Sequence, residues 1–303
     1  MTGYMHAQYA ASLAEFGVPR QLERSGGWVL VRTIPASCYL DATGCYPLYA
    51  CPRWGELIRD LSELGTGLVT VCLVTDPFGD YTVEYLRDCF KDVVIPFKQH
   101  FVTDLSKPIA SYVSAHNRRY APKAMREVQV DKCAEPYVYL DDWVDLYAAL
   151  IQRHSITGLR AFSRVAFAKQ LCVPGVIAFR ATYEGRTVGM VLWYTQGNVC
   201  YYHLGAYNEC GYAQRASYAL FWRAIEYFQE QHFHWLNLGA GAGVHGSSAD
   251  GLTRFKQGWA TETRTAYFCG RILVPERYNE IVAEKSVAGT DYFPAYRVGE
   301  FNP

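Results

Sequence analysis

Asn198-Val-Cys-Tyr-Tyr-His-Leu-Gly-Ala206 is a run of β-type residues closed by small ones, and the residues after it decide the fold. Tyr207-Asn-Glu-Cys-Gly-Tyr-Ala213 is rich in turn formers. The period then changes. Ala213, Ala216, Leu220, Ala224, Tyr227 and Phe228 recur at offsets of three and four, so residues 214–231 are expected to be helical. Arg215, Arg223, Glu226 and Glu230 form only a narrow polar stripe, the pattern of a helix buried on most sides. His234-Trp-Leu-Asn-Leu238 reads as a short strand, Gly239-Ala-Gly-Ala-Gly243 ends it, and Gly251-Leu-Thr-Arg-Phe-Lys-Gln-Gly258 comes next.

Working upstream, residues 176–183, 186–195 and 199–206 are three strands separated by Glu184-Gly185 and Gln196-Gly197, an antiparallel meander. Residues 140–154 are helical, with Trp143, Leu146, Tyr147 and Leu150 on one face. Residues 163–171 form another helix. Further upstream, residues 1–27 read as a short amphipathic helix carrying Leu13 and Phe16. A strand is expected at 28–34, a loop at 41–47 and a helix at 52–64. Residues 68–75 are nearly all apolar, a strand buried on both faces. A helix at 81–90 and a strand at 93–102, interrupted by Pro96, come next. Residues 108–125 are expected to be helical, with Ser106 as cap and Pro122 kinking or ending the helix. A strand is expected at 127–130. Downstream, a strand pair at 263–274, a helix from Pro275 and an irregular tail close the chain.

The ordered pieces Tyr201-Tyr-His-Leu-Gly205, Leu220-Phe-Trp-Arg-Ala-Ile225, Leu236-Asn-Leu-Gly-Ala-Gly241 and Leu252-x-x-Phe-Lys-x-Gly-Trp259 together resemble the acyl-transferring half of a GNAT-superfamily protein. More narrowly they resemble the Fem-type branch, which includes aminoacyl-tRNA-dependent peptidoglycan-bridge transferases and acetyltransferase-like relatives. The resemblance implies an α+β fold of two tandem GNAT-like units, with mixed, mostly antiparallel sheets flanked by helices. The units are expected at residues 1–133 and 134–303. It also implies direct transfer of an acyl or aminoacyl group onto an amine, with acyl-CoA or aminoacyl-tRNA as co-substrate and no covalent enzyme intermediate. The alternative is a catalytically inactive GNAT-like binding protein.

Composition bounds these readings. The 303 residues carry 29 basic and 29 acidic side chains, a formal net charge of +0, which gives no reason to expect DNA or a membrane surface as partner. Half the residues are apolar, enough for a large core, and the 24 Tyr and 7 Trp fit either bulky core packing or a Tyr-lined cleft. The 10 Cys lack C-x-x-C spacing, so reduced thiols in a cytoplasmic protein are expected rather than zinc or a disulfide scaffold. His232-x-His234 has no third ligand placed by sequence, so no metal is expected. No apolar run of membrane-spanning length and no leader-type segment is visible. Neither G-x-S-x-G nor another serine-nucleophile signature is present.

Asn208, Gly211, Ala213 and Arg215 lie where GNAT acetyltransferases carry the loop that holds the coenzyme A pyrophosphate on backbone N–H groups; an ordinary capping loop is the alternative. Gly205 closes the preceding strand beside it. Phe255-Lys256 matches a Phe-Lys pair of Fem-type proteins, which implies that Lys256 stabilises the oxyanion of the acyl transfer, with Phe255 in the core or beside the acyl chain. The bland reading is an exposed Lys near a helix C-terminus. His203, and Tyr201 on the same strand face, are candidates for an amine base or an orienting donor; a packed strand histidine is the alternative. Arg118, Arg119 and Lys123 form a basic cluster suited to phosphate on a nucleotide-linked acceptor or on tRNA, against a merely solvated helix face. The acceptor is expected to be a small-molecule or peptide-like amine. Gly241 opens a formal G-x-G-x-x-G, but no helix comes directly after it, so a dinucleotide site is rejected in favour of a flexible loop beside the acyl site.

Overall fold

The computed structural model describes residues 1–241 and 251–300. Its strands are β1 (Val18–Gln21), β2 (Trp28–Thr33), β3 (Leu40–Gly44), β4 (Thr70–Val74), β5 (Val93–Asp104), β6 (Gln129–Lys132), β7 (Val176–Tyr183), β8 (Arg186–Gln196), β9 (Val199–Tyr207), β10 (Trp235–Asn237) and β11 (Glu262–Ile272). They join in one sheet rather than several, in the order β1-β2-β3-β4-β11-β5-β10-β9-β8-β7-β6. Eight of the ten neighbouring pairs are antiparallel. Among the described strands only β3–β4 and β9–β10 run parallel. The α+β class and the mostly antiparallel pairing agree with the sequence reading.

The meander β7-β8-β9 forms where its turn residues put it. Glu184 and Gly185 both take positive φ, 49° and 76°, the pairing a tight hairpin turn requires. β10 returns parallel beside β9. Its other neighbour is β5, from the N-terminal part of the chain.

Helices cover both faces. On one lie α5 (Ala115–Glu127), α8 (Glu209–Ala213), α9 (Ala216–Glu230) and α10 (Gly251–Gln257), enclosing Trp193, Phe221, Phe228, Leu236 and Trp259. On the other, α1 (Ala7–Ser12), α6 (Leu140–His154) and α7 (Arg164–Gln170) enclose Tyr4, Trp143, Phe167, Met190 and Tyr194. A third core lies where α2 (Leu57–Glu63) and α3 (Val83–Cys89) pack on β2, β4 and neighbouring strands. α9 alone buries Leu220, Phe221, Ile225 and Phe228, each worth about 1.5–3 kcal/mol of transfer free energy.

Several expectations are corrected. Residues 1–27 hold a 3-10 turn at Gly3–Met5, the six-residue α1 and then β1. The loop expected at 41–47 is largely β3. Asp41, which reads as a loop residue, is buried there because Arg297 donates to it from Nε (2.5 Å) and Nη2 (2.7 Å). The helix expected at 108–125 is two: α4 (Ile109–Tyr112) and α5. Ser114 caps α5 by accepting from Asn117 N–H, while Ser106 bonds Asp104 instead. Pro122 stays inside α5, which continues to Glu127. The strand pair expected at 263–274 is the single strand β11, with a bulge between Ala266 and Tyr267. The closing helix is α11 (Pro275–Glu284).

Candidate active site

The parallel pairing of β9 with β10 lasts three residues: Val199 with Trp235, Cys200 with Leu236, Tyr201 with Asn237. Then the strands part. β9 continues to Tyr207 on β8. The chain after β10 leans to β5, where Leu238 N–H donates to Phe101 O (2.9 Å) and Phe101 N–H to Gly239 O (3.1 Å). One edge of β9 is therefore released beyond Tyr201, a place where an extended acyl chain can lie against backbone N–H and C=O groups.

Lys256 sits at this fork. Its side chain is only 6 % exposed, which removes the reading of a surface lysine. Nζ donates to Ala240 O (2.7 Å) and lies 5.4 Å from the centre of the Tyr202 ring. Gly239 makes the approach possible: its φ is +73°, and a Cβ there would stand 3.2 Å from Lys256 Nζ. Phe255 turns the other way, packing on Phe221 (4.8 Å), Tyr218 (5.2 Å) and Trp259 (5.9 Å). Residues 242–250, where the loop beside the acyl site was expected, lie outside the described residues.

Tyr201 and His203 face the opposite side of the sheet. Tyr201 donates to Asp76 Oδ2 (2.7 Å), and burial pushes the Asp76 carboxyl up to about 6 despite its hydrogen bonds from Phe78 N–H and Tyr201. His203 is enclosed by Tyr4, Tyr9, Tyr194 and Phe162 and hydrogen-bonded to the Tyr4 hydroxyl (3.2 Å) and Gln170 Oε1 (3.3 Å). Burial drives its pKa down to about 3, so it stays neutral. The structure thus brings Phe255, Lys256 and Gly205 to one side and Tyr201 and His203 to the other. Tyr202 is one site residue that sequence reasoning missed. Strand alternation had already placed it opposite Tyr201; recognising it needed the packing side of α10. Gly205 serves Tyr202, since a Cβ there would stand 2.3 Å from its hydroxyl oxygen.

At the strand ends lies a buried polar cluster. Asn237, 2 % exposed, accepts at Oδ1 from Gly239 N–H (2.9 Å) and pairs there with His100 Nδ1 (2.9 Å). Its Nδ2 has no partner among the described residues. Burial first, and then the nearby Lys256 and Lys98 charges, push His100 down to about 4 against the raising effect of Asn237.

The loop after β9 is more closed than expected. Asn208 caps α8, accepting at Oδ1 from Gly211 N–H (2.9 Å). Tyr212, Gln214 and Arg215 N–H groups are bonded to Asn208, Cys210 and Tyr212 carbonyls. Gly211 is a close-approach glycine, since a Cβ would meet Val188 O at 2.0 Å. Ala213 ends α8 at the surface. Arg215, with φ of 55°, stacks its guanidinium on Tyr120 at 4.4 Å. Arg119 and Lys123 reach the same ring, each at 5.9 Å. Arg118 donates to Ala110 O (2.7 Å). Among the described residues none of these four cations is in an ion pair. Tyr218 joins this patch to Phe255 (5.2 Å) and so to the Lys256 fork.

The order of strands and helices around the fork is that of a GNAT-like fold. Residues 113–257 match the family model described as an acetyltransferase (GNAT) domain. The chain is similar to the crystal structure of FemX at 14 % identity, covering 91 % of this chain and 93 % of that one with a TM-score of 0.68. A C-terminal domain of a putative lysylphosphatidylglycerol synthetase from Agrobacterium fabrum is 12 % identical over 93 % of both chains, with a TM-score of 0.60. L-PGS from Bacillus licheniformis is 14 % identical over 94 % of this chain and 98 % of that one, with a TM-score of 0.58. These likenesses show the fold. No curated protein matches the chain in sequence. Among the described residues no helix is long and apolar enough to cross a membrane.

Proposed function

We propose that the chain is a cytoplasmic N-acyltransferase that moves an aminoacyl group from charged tRNA onto a small or peptide-like amine by direct attack. The observation that carries this reading is the buried Lys256 ammonium at the β9/β10 fork. The acyl chain lies along the released edge of β9, with its carbonyl oxygen toward Lys256 Nζ. Amine attack turns that oxygen into an oxyanion, and a fixed cation in a water-poor site lowers the barrier by roughly 3–4 kcal/mol. Ala240 O takes one of the ammonium's three N–H donors and fixes its head.

The choice of donor rests on two features. Four amides of the loop after β9 are already bonded within it, which leaves little backbone for a pyrophosphate. The cations around Tyr120, joined to the fork through Tyr218, offer a nucleic-acid donor both phosphate contacts and stacking. One of the similar solved structures is named as a domain of a putative lysylphosphatidylglycerol synthetase. Acyl-CoA is the second reading, favoured by the acetyltransferase description of residues 113–257 and by the small residues Gly211 and Ala213.

Thermal unfolding with acetyl-CoA, longer acyl-CoAs and charged tRNA separates the donors, because only a bound donor raises the midpoint. Lys256→Met should then slow single-turnover transfer by roughly 10²–10³-fold while leaving donor binding and stability nearly intact. Normal turnover in that variant would overturn the assignment of Lys256. Donor protection without transfer would identify a GNAT-like binding protein.

A further inference from the structure

We infer that His100 is the general base of the transfer, its Nε2 taking the proton that the acceptor amine gives up. This rests on the acyl-transfer reading above and adds a residue to it. The neighbours of His100 fix its tautomer. Asn237 Oδ1 already accepts from Gly239 N–H, which identifies that atom as the oxygen of the amide. An amide oxygen only accepts, so His100 Nδ1, 2.9 Å away, must be the donor. The proton of the neutral ring is then on Nδ1, and Nε2 carries the lone pair. Nε2 makes no hydrogen bond among the described residues.

Position agrees with this. Asn237 is the last residue of β10, where the fork opens, and the segment it begins also carries Gly239 and Ala240, the contacts of the Lys256 ammonium. His100 and Lys256 therefore converge on one four-residue segment from opposite elements. The charged and titratable groups facing His100 are Lys256 from α10, Lys98 on its own strand and Arg264, its cross-strand partner on β11. All are cations; burial first, then Lys256 and Lys98, keep the ring neutral at physiological pH. An imidazole becomes a stronger base as that field weakens, and an oxyanion forming beside Lys256 weakens it. Basicity at Nε2 thus rises as the amine attacks.

In the transfer step the amine nitrogen bonds to the carbonyl carbon, and the carbonyl electron pair moves to oxygen beside Lys256. One N–H proton passes to His100 Nε2. The oxyanion collapses, the ester C–O bond breaks, and the departing ribose oxygen takes the proton back from Nε2. Histidine returns neutral and no other reactant is needed.

Three measurements test this. Nitrogen-15 NMR of imidazole-labelled wild-type protein should show His100 as the Nδ1–H tautomer from pH 8 to 6; an Nε2–H tautomer overturns the proposal. With charged tRNA and hydroxylamine, an acceptor that stays neutral near pH 7, His100→Gln should lower the single-turnover rate roughly 10²–10³-fold without weakening donor protection. In His100→Gly, added imidazole should restore part of the rate. A His100→Gln variant as fast as wild type, or slow variants that imidazole does not rescue, would overturn the base. Wild-type protein that transfers from no donor would instead overturn the acyl-transfer reading, and the base with it.

Discussion

Gly205 and Tyr202 illustrate how much of this site is decided by single atoms. A Cβ at Gly205 would stand 2.3 Å from the Tyr202 hydroxyl oxygen and 3.2 Å from its Cζ. Gly205→Ala should therefore push the ring away from Lys256. Overpacking of this kind costs about 1–3 kcal/mol. In a Tyr202→Phe background the nearest atom is gone and much of the cost should be too, so denaturant titrations of the four proteins should show strong non-additivity. Additive effects would mean that Tyr202 does not lie over Gly205. The buried histidines give a second prediction. His203 and His100 are pushed to about 3 and about 4, whereas unfolded histidine titrates near 6.5. Between those values the unfolded chain binds more protons, so stability is full above about pH 6.5 and is lost as pH falls, by at most about 1.4 kcal/mol per unit for each histidine. Asp76, raised to about 6, acts oppositely, losing stability as pH rises from about 4 through 6. Two histidines against one carboxyl leave a net loss on acidification. Urea midpoints should fall from pH 7 to pH 5, and His203→Gln should flatten that dependence. A flat wild-type profile would contradict it.

At the scale of elements, the legible parts were those whose signal is local. The meander, α6, α7 and α9 carry their period and turn residues in the sequence, and β4 declares its burial by composition. The illegible parts depend on distant partners. β3 looked like a loop because Asp41 is a loop residue until Arg297, far along the chain, makes it a buried ion pair. The break between α4 and α5 depends on Ser114 capping one helix, a competition with Ser106 that spacing alone does not decide. The same limit applied to the site. The Phe-Lys pair could be found by order along the chain. The companions of Lys256 could not, because His100 and Asn237 come from strands more than a hundred residues apart. One prediction belongs to α5 and the start of α9. If their cations hold phosphates, removing Arg119, Lys123 or Arg215 should weaken charged-tRNA binding. Each removal should also reduce the slope of log affinity against log salt by about 0.7–0.9. Salt slopes unchanged across the three variants would mean a solvated face with no nucleic acid on it.

At the scale of the whole molecule, chain order and spatial order disagree. β6 to β10 lie side by side at one end of the sheet, whereas β1 to β5 are completed by β11, which inserts between β4 and β5. The match to the acetyltransferase domain, residues 113–257, begins before residue 134 and stops before β11. We propose that the two GNAT-like units are drawn best along this line, with residues 113–257 as one and the segments on either side together forming the other. The expected division at 133/134 would leave β6 with the wrong partners, since its pairing is with β7. A fragment of residues 1–133 should consequently fail to fold. It lacks β11, which pairs nine residues with β5 and five with β4 and joins the two in the sheet. Without it both strands expose unpaired backbone along edges that are interior in the full chain. Full-length protein should unfold in one cooperative transition, with circular dichroism and tryptophan fluorescence coincident. The reason is that β5–β10 pairing and the packing of Tyr4 and Tyr9 on Tyr194 both cross the line between units. A 1–133 fragment that is soluble, monomeric and cooperatively folded, or two separated transitions in the full chain, would show that the units are independent and that β11 is not what holds the first one together.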